Sequence, residues 1–226
     1  MTLVCLVHTV PSLPAVFDGL VAAHVPGVRV MHLVDEGMLA DTVAHGMLPR
    51  TLRRLVAHAA HGEESGAQAV LVTCSSLGEA TELARPFLAV PVYRVDAPMA
   101  AQAVAEGTRI AVLATLHSTL DPTRRLVERE AARQGRPVRL VTSLCDGAFQ
   151  ALRAGRPDEH DAVVTAEAAR LAADADVLVL AQASMARAVG SLPPGRISVP
   201  VLSSLVSGVG QLRRHAVTPE PCVEGG

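Results

Sequence analysis

A thiol, two hydroxyls and a glycine follow directly on an apolar run in VLVTCSSLG, residues 70–78. The apolar part suits a buried strand, so Cys74 falls at the strand's end, where the chain turns into its next element. Backbone N–H groups opening a helix there would favour a thiolate and lower the cysteine's pKa. Ser75 and Ser76 would add hydroxyl donors for an anion. A substrate carboxylate held in this way brings its α-carbon beside sulfur, and Cys74 becomes the base for the α-proton. The competing reading is a small buried hydrophobe, the common fate of a free cysteine. The polar residues that follow Cys74, and the duplication of its surroundings, favour chemistry.

Such a strand end needs a sheet to hold it. Apolar runs bounded by turn residues alternate with segments of helical period, which argues for βα units and a mainly parallel sheet. The expected strands are Leu3–Val7, Val28–Val34, Ala69–Thr73, Val90–Tyr93, Ile110–Ala114, Val138–Val141, Val177–Ala181 and Val199–Leu202. Among the expected helices are Pro49–His61, with Leu52, Leu55, Val56 and Ala59 on one face, and Pro122–Gln134, with Pro122 near its start.

The chain is also written twice. TLVCLVHT from Thr2 matches TRIAVLAT from Thr108, 106 residues on, and VRVMHLVDEG from Val28 matches VRLVTSLCDG from Val138, 110 on. AVLVTCSSLGEA from Ala69 matches VLVLAQASMARA from Val177, 108 on, and VPVYRVDAP from Val90 matches VPVLSSLVS from Val199, 109 on. Two pseudo-symmetric α/β lobes follow, each a mainly four-stranded parallel sheet flanked by helices. Residues 1–97 with 203–226 form the first and 98–202 the second, and helix Ala97–Glu106 leads between them. Parallel sheets place ligand sites outside the carboxyl ends of their strands, so the site belongs in the cleft between the lobes. There Cys74 should face its equivalent, Gln182.

Composition removes whole classes of function. All 20 basic residues are arginine, and the missing lysine excludes a pyridoxal Schiff base and a Walker A loop. A formal net charge of −2 without charge blocks speaks against a nucleic-acid groove or an electrostatic membrane anchor. No apolar run approaches the roughly 20 residues of a membrane helix, and MTLVCLVHTV lacks signal-peptide features; the expectation is a cytoplasmic protein. Cys5, Cys74, Cys145 and Cys222 have no metal-ligand spacing and read as free thiols. Half of the 226 residues are hydrophobic, enough for one substantial core or two lobes of about 100 residues each.

The TCSS stretch, the duplicated halves and the strand-end motif LAQASM together resemble the aspartate/glutamate racemase superfamily. That superfamily includes hydantoin racemases, maleate isomerases and arylmalonate decarboxylases. LVHTVPSL, IAVLATLHST and CDGAFQALRAG extend the resemblance over nearly the whole chain. It implies a cofactor-independent enzyme whose cysteines stand on opposite faces of a substrate α-carbon, with Cys74 as the first of them. It further implies Ser75 and Ser76 as carboxylate-binding neighbours, Thr9 and Pro11 lining the cleft, and Thr115 and Thr119 as their duplicates. Ala183 and Ser184 would follow at the second strand end. The partner implied is a small carboxylate, and a homodimer is an assembly the resemblance allows.

The second cysteine position is Gln182, and an amide cannot exchange protons as a thiol does. Three routes answer this. Ser184, Cys145 or a water could serve the far face in racemisation. A decarboxylase or lyase would need only Cys74 to deliver one proton. A maleate-isomerase-like enzyme would add Cys74 to an unsaturated acid. A small-acid-binding protein without turnover is the remaining alternative.

Further candidates are His8, an acid or orienting group expected at a cleft-facing strand end, and Asp35, which would either orient Cys74 or cap the next helix. Cys145 and Cys5 read as packing. His58, His61 and Glu63-Glu64 imitate a metal spacing but read as solvated surface, and Arg124, Arg125 and Glu128–Glu130 as an exposed helix face. The tail TPEPCVEGG, which holds Cys222, reads as disordered.

Overall fold

The computed structural model describes residues 1–216; Cys222 and the tail from Thr218 lie outside them. The first half runs β1 (Thr2–His8), α1 (Leu13–His24), β2 (Val28–Val34), α2 (Glu36–His45), α3 (Pro49–Glu64), β3 (Val70–Val72), α4 (Gly78–Ala84) and β4 (Val92–Arg94). Helix α5 (Ala97–Glu106) leads into β5 (Arg109–Ala114), α6 (His117–Gln134), β6 (Arg139–Leu144), α7 (Ala148–Arg153) and α8 (Pro157–Ala172). Then come β7 (Val177–Leu180), α9 (Ala183–Gly190), β8 (Val201–Ser203) and α10 (Ser204–Gly210).

Two four-stranded sheets result, ordered β2-β1-β3-β4 and β6-β5-β7-β8, with every pairing parallel. Near-continuous Val, Leu and Ala strands fit sheets covered on both faces. On one face of the first sheet, Val4 and Leu6 pack with Phe17 and Val21 of α1 and with Val209 and Leu212 from the C-terminal segment. On the other, Cys5, Val7, Val70 and Val72 meet Leu55 and Ala59 of α3 and Leu77, Ala80 and Ala84 around α4. The second sheet is covered likewise, by α5 and α6 on one side and α8 and α9 on the other.

The duplication holds at the level of register. Thr73 N donates to Val7 O at 3.0 Å and Ala181 N to Leu113 O at 2.9 Å; these pairs are related by the offsets 108 and 106 of the matched segments. Asp35 N bonds His8 O at 2.9 Å as Cys145 N bonds Ala114 O at 2.8 Å. Val70 opposes Val92 as Leu178 opposes Val201. Cys74 and Gln182 therefore follow equivalent strands by equivalent steps.

All eight expected strands form, most with ends shifted by one to three residues. Helix α6 differs more. It begins at His117, so Pro122 lies inside it. Proline removes one helical hydrogen bond and crowds the carbonyl four residues back, here Ser118 in the first turn. That turn is secured ahead of the proline by Thr119 N and Leu120 N, which both donate to Leu116 O at 3.1 and 2.9 Å.

Candidate active site

The chain leaves β3 extended at Cys74 (φ −118°, ψ 111°) and tightens at once into a 3-10 turn, Ser75–Leu77, before α4. Cys74 is partly buried, and Ser75 and Ser76 are 8% and 5% exposed. The Thr9 and Ser76 hydroxyls and the N–H groups of Leu77 and Ser76 reach the sulfur and favour the thiolate. Burial outweighs them, and the thiol's pKa is raised. This corrects the expectation of a lowered value: the loss of water costs the charged form more than four neutral donors return.

The second strand end repeats the arrangement with different chemistry. Gln182 stands directly before α9, and its Oε1 accepts from Thr115 N at 2.6 Å and from Thr115 Oγ1 at 2.9 Å. A backbone N–H can donate only to the amide oxygen, so the contact fixes which way the amide faces and leaves Nε2 with its two hydrogens to project. Thr9 serves Cys74 as Thr115 serves Gln182, and the two threonines are themselves duplicates.

The lobes meet at the first turn of α6. Ser76 Oγ and Thr119 Oγ1 are 2.8 Å apart, with Thr119 2% exposed. Beside them Arg125 donates to Glu79 at 2.7 Å and Arg129 to Glu82 at 3.2 Å, across the seam between α6 and α4. The helix face read as solvated is thus partly an interlobe contact; only Arg124–Glu128, at 2.6 Å, is the local i,i+4 pair expected. Glu82 also accepts from Arg94, whose guanidinium is 1% exposed and clamped on Asp96 at 2.7 and 3.0 Å. Gly78 allows this: a Cβ there would lie 2.1 Å from Arg94 Nη2.

Of the other expected site residues, Ala183 and Ser184 open α9 and are partly buried, while Pro11 is exposed in the turn before α1. His8 is not a cleft-lining group: it is 0% exposed and bonded to Thr73 and His32. Asp35 caps α2 through Gly37 N at 3.0 Å and is held by Arg54 at 2.5 Å and His58 at 2.8 Å. These contacts keep its carboxyl below the usual range despite the opposing effect of burial. His58 is accordingly a partner of Asp35 rather than free surface, and Glu63 accepts from Ala89 N and Val90 N. Among the described residues no group of His, Cys, Asp and Glu is arranged to hold a metal. Cys145 is 1% exposed, and burial, with Glu167 and Asp146 nearby, pushes its thiol up to about 11; Cys5 is raised to about 11 by burial alone.

Two hollows lie elsewhere: about 340 Å³ beside α9, lined by residues such as Leu180, Ala186 and Ser203, and about 420 Å³ around Arg85 and Leu88–Tyr93. Neither is lined by Cys74 or Gln182. The thiol, the amide and their hydroxyl partners gather at the threonine-held strand ends. Sequence reasoning missed His32, Asp18, Arg94 and Asp96. His32 could have been suspected as a polar residue in the apolar run VRVMHLV, on the strand face that carries Val28 and Val30.

The family model for Asp/Glu/hydantoin racemases matches residues 17–212. The chain belongs to that family. Racemase-family membership makes it an isomerase. Solved racemase structures share the fold. An allantoin racemase from Klebsiella pneumoniae superposes with a TM-score of 0.71 at 16% identity, covering 100% of this chain and 97% of the other. A glutamate racemase from Francisella tularensis, in complex with D-glutamate, gives 0.73 at 11% identity, covering 97% and 84%. A glutamate racemase from Bacillus anthracis gives 0.70 at 15%, covering 95% and 81%. No curated protein matches the sequence. Among the described residues no helix is long and apolar enough to cross a membrane.

Proposed function

We propose that this racemase-family chain is a cofactor-independent racemase or epimerase that moves a proton at a carbon α to a carboxylate, with Cys74 as the proton-transfer group. The observation that carries the reading is Cys74 at a strand end, within reach of Thr9, Ser76 and two backbone N–H groups. The substrate is a small acid. Its carboxylate takes hydrogen bonds from the hydroxyls and amides of the Thr9, Ser75 and Ser76 cluster, which draws electron density toward the developing enolate. Cys74 takes or returns the α-proton on its own face.

Gln182 acts as a donor rather than as an acid or base. Its oxygen is occupied by Thr115, so its NH₂ is free to bind a second carboxylate or carbonyl of the substrate. The far-face proton then passes through Ser184 or a water. Residues 1–97 with 203–226 as one lobe and 98–202 as the other belong to the same proposal, supported by Val209 and Leu212 packing among Val4, Leu6 and Phe17. A cytoplasmic homodimer is its natural setting.

Incubation of amino acids, hydantoins and hydroxy acids in deuterium oxide tests the reading: Cys74-dependent α-exchange on at least one of them is expected, and none on any would defeat it. A second reading, a single-cysteine decarboxylase or lyase, is favoured by two observations. Burial raises the Cys74 thiol's pKa, which favours its protonated form, and its counterpart is an amide. Carbon dioxide release from a malonate-type acid would select it, whereas exchange without release would exclude it.

A further inference from the structure

On the α1 side of the first sheet, polar side chains run in single file from solvent to the strand ends. Asp18 of α1 has a side chain 62% exposed, His32 of β2 18%, and His8 and Thr73 are 0% and 7% exposed. His32 Nε2 lies 3.0 Å from Asp18 Oδ1, His32 Nδ1 2.8 Å from His8 Nε2, and His8 Nδ1 2.8 Å from Thr73 Oγ1. The His8 and His32 rings stack with centroids 5.1 Å apart.

The polarity of this file follows from what each atom can do. A carboxylate only accepts, so His32 Nε2 carries hydrogen. In a neutral His32 the other nitrogen must accept, so His8 Nε2 donates, His8 Nδ1 accepts, and the Thr73 hydroxyl donates. A proton added at His32 reverses each bond inward of it. His32 then donates at both ends, having taken the hydrogen His8 gives up from Nε2; the added proton comes to rest on His8 Nδ1, and the Thr73 hydroxyl turns to Val7 O, which lies 3.2 Å away. Both arrangements satisfy every group.

The inner end of the file sits one residue behind the site. His8 precedes Thr9, Thr73 precedes Cys74, and Thr9 reaches the sulfur. The His8–Thr73 bond therefore ties together the two segments that deliver Thr9 and Cys74.

We infer that Asp18, His32 and His8 are positioning residues for Cys74, and that a proton gained at His32 is transmitted inward by a change of tautomer at His8 and rotation of the Thr73 hydroxyl. Burial, with His32 adding to it and Asp18 opposing, holds His8 near a pKa of about 4. Above that value His8 changes tautomer without becoming a cation. The ionisable groups facing it are Asp18 from α1 and His32 from β2. Helix α10, packed on the same side, carries none, and the basic turn after it is engaged elsewhere, Arg213 with His24 O and His215 with Tyr93.

Nitrogen-15 NMR of the imidazoles, with site-resolved alkylation of Cys74 by iodoacetamide from pH 8 to 5, tests the relay. The expected result is that the His8 hydrogen moves from Nε2 to Nδ1 while its ring stays neutral, and that Cys74 alkylation shows a step of about threefold at the same midpoint. Asp18→Asn, which removes the carboxylate 3.0 Å from His32 Nε2, should weaken the step. His32→Gln should remove the step. Both positions are more exposed than His8, so both variants should fold. A His8 that keeps one tautomer throughout, or a step that survives His32→Gln, overturns the inference. It rests on Cys74 as the reacting thiol, yet the tautomer readout needs no turnover: exchange of His8 in a protein that moves no α-proton would sink the racemase reading alone.

Discussion

Gly78 of α4 and Ala186 of α9 hold equivalent positions, 108 residues apart, and the space beside them is used in opposite ways. In the first lobe the Arg94 guanidinium fills it, bonded to Asp96 and Glu82. In the second, Ser203 replaces Arg94 in the repeat, and a hollow of about 340 Å³ opens beside Ala186. The strand ends just ahead differ in the same sense: one presents a thiol, the other an amide locked by Thr115. Under the proposed function, a duplicated backbone carries one reactive, ionically braced half and one half that binds. Symmetry of fold does not require symmetry of labour.

The sharpest way to break this comparison is to remove each strand-end group in turn. Cys74→Ala should lower α-proton exchange by about a thousandfold or more, within the range of acid–base catalysis, while Gln182→Ala should raise KM by about tenfold and spare most of kcat. Equal losses in kcat would show two catalytic halves after all. For the packing, Gly78→Ala drives a methyl into Arg94 and should cost about 2–4 kcal/mol in denaturant unfolding. Ala186→Gly should cost only about 1 kcal/mol.

Acid sharpens it further. His8 is neutral when folded down to about pH 4 but would charge near 6.5 when unfolded. The unfolded chain then binds the extra proton between those values, and stability falls as pH drops through that window, by about 3 kcal/mol from this group. The second lobe's marker is Glu167, held at about 2 by Arg170 and Ser143 against burial. Its contribution is lost only as pH falls from about 4.5 toward 2, so two acid-sensitive ranges, overlapping only slightly above pH 4, should appear in pH-dependent unfolding. The smallest effect belongs to Thr115→Val, which keeps the N–H bond to Gln182 and loses the hydroxyl. A rise in KM of about fivefold with kcat unchanged is expected.

Periodic features of the sequence translated well. Apolar runs and their repetition foretold all eight strands, and Val28–Val34 and helix Ala97–Glu106 lie where they were read, because local burial and turn residues decide such elements. The equivalence of Cys74 and Gln182 followed from repeat spacing and reappears in the register. Contacts between elements were not legible. Arg125 has the look of a solvated helix arginine until the fold brings Glu79, 46 residues away, to meet it. Arg94 sits in a strand whose pattern says only that it alternates with Tyr93. The thiol's raised pKa was missed because it depends on how deeply neighbours enclose the sulfur, which no spacing encodes.

Arg94 also divides the first sheet by its response to acid. Its guanidinium keeps its proton at any physiological pH, so the α4 side of that sheet holds a fixed cation and an unchanging set of bonds. Through the same strands, the α1 side holds two imidazoles able to trade hydrogens. The Arg94 cation on one surface of this sheet is indifferent to acidity, whereas the paired imidazoles on the other can rearrange their hydrogens.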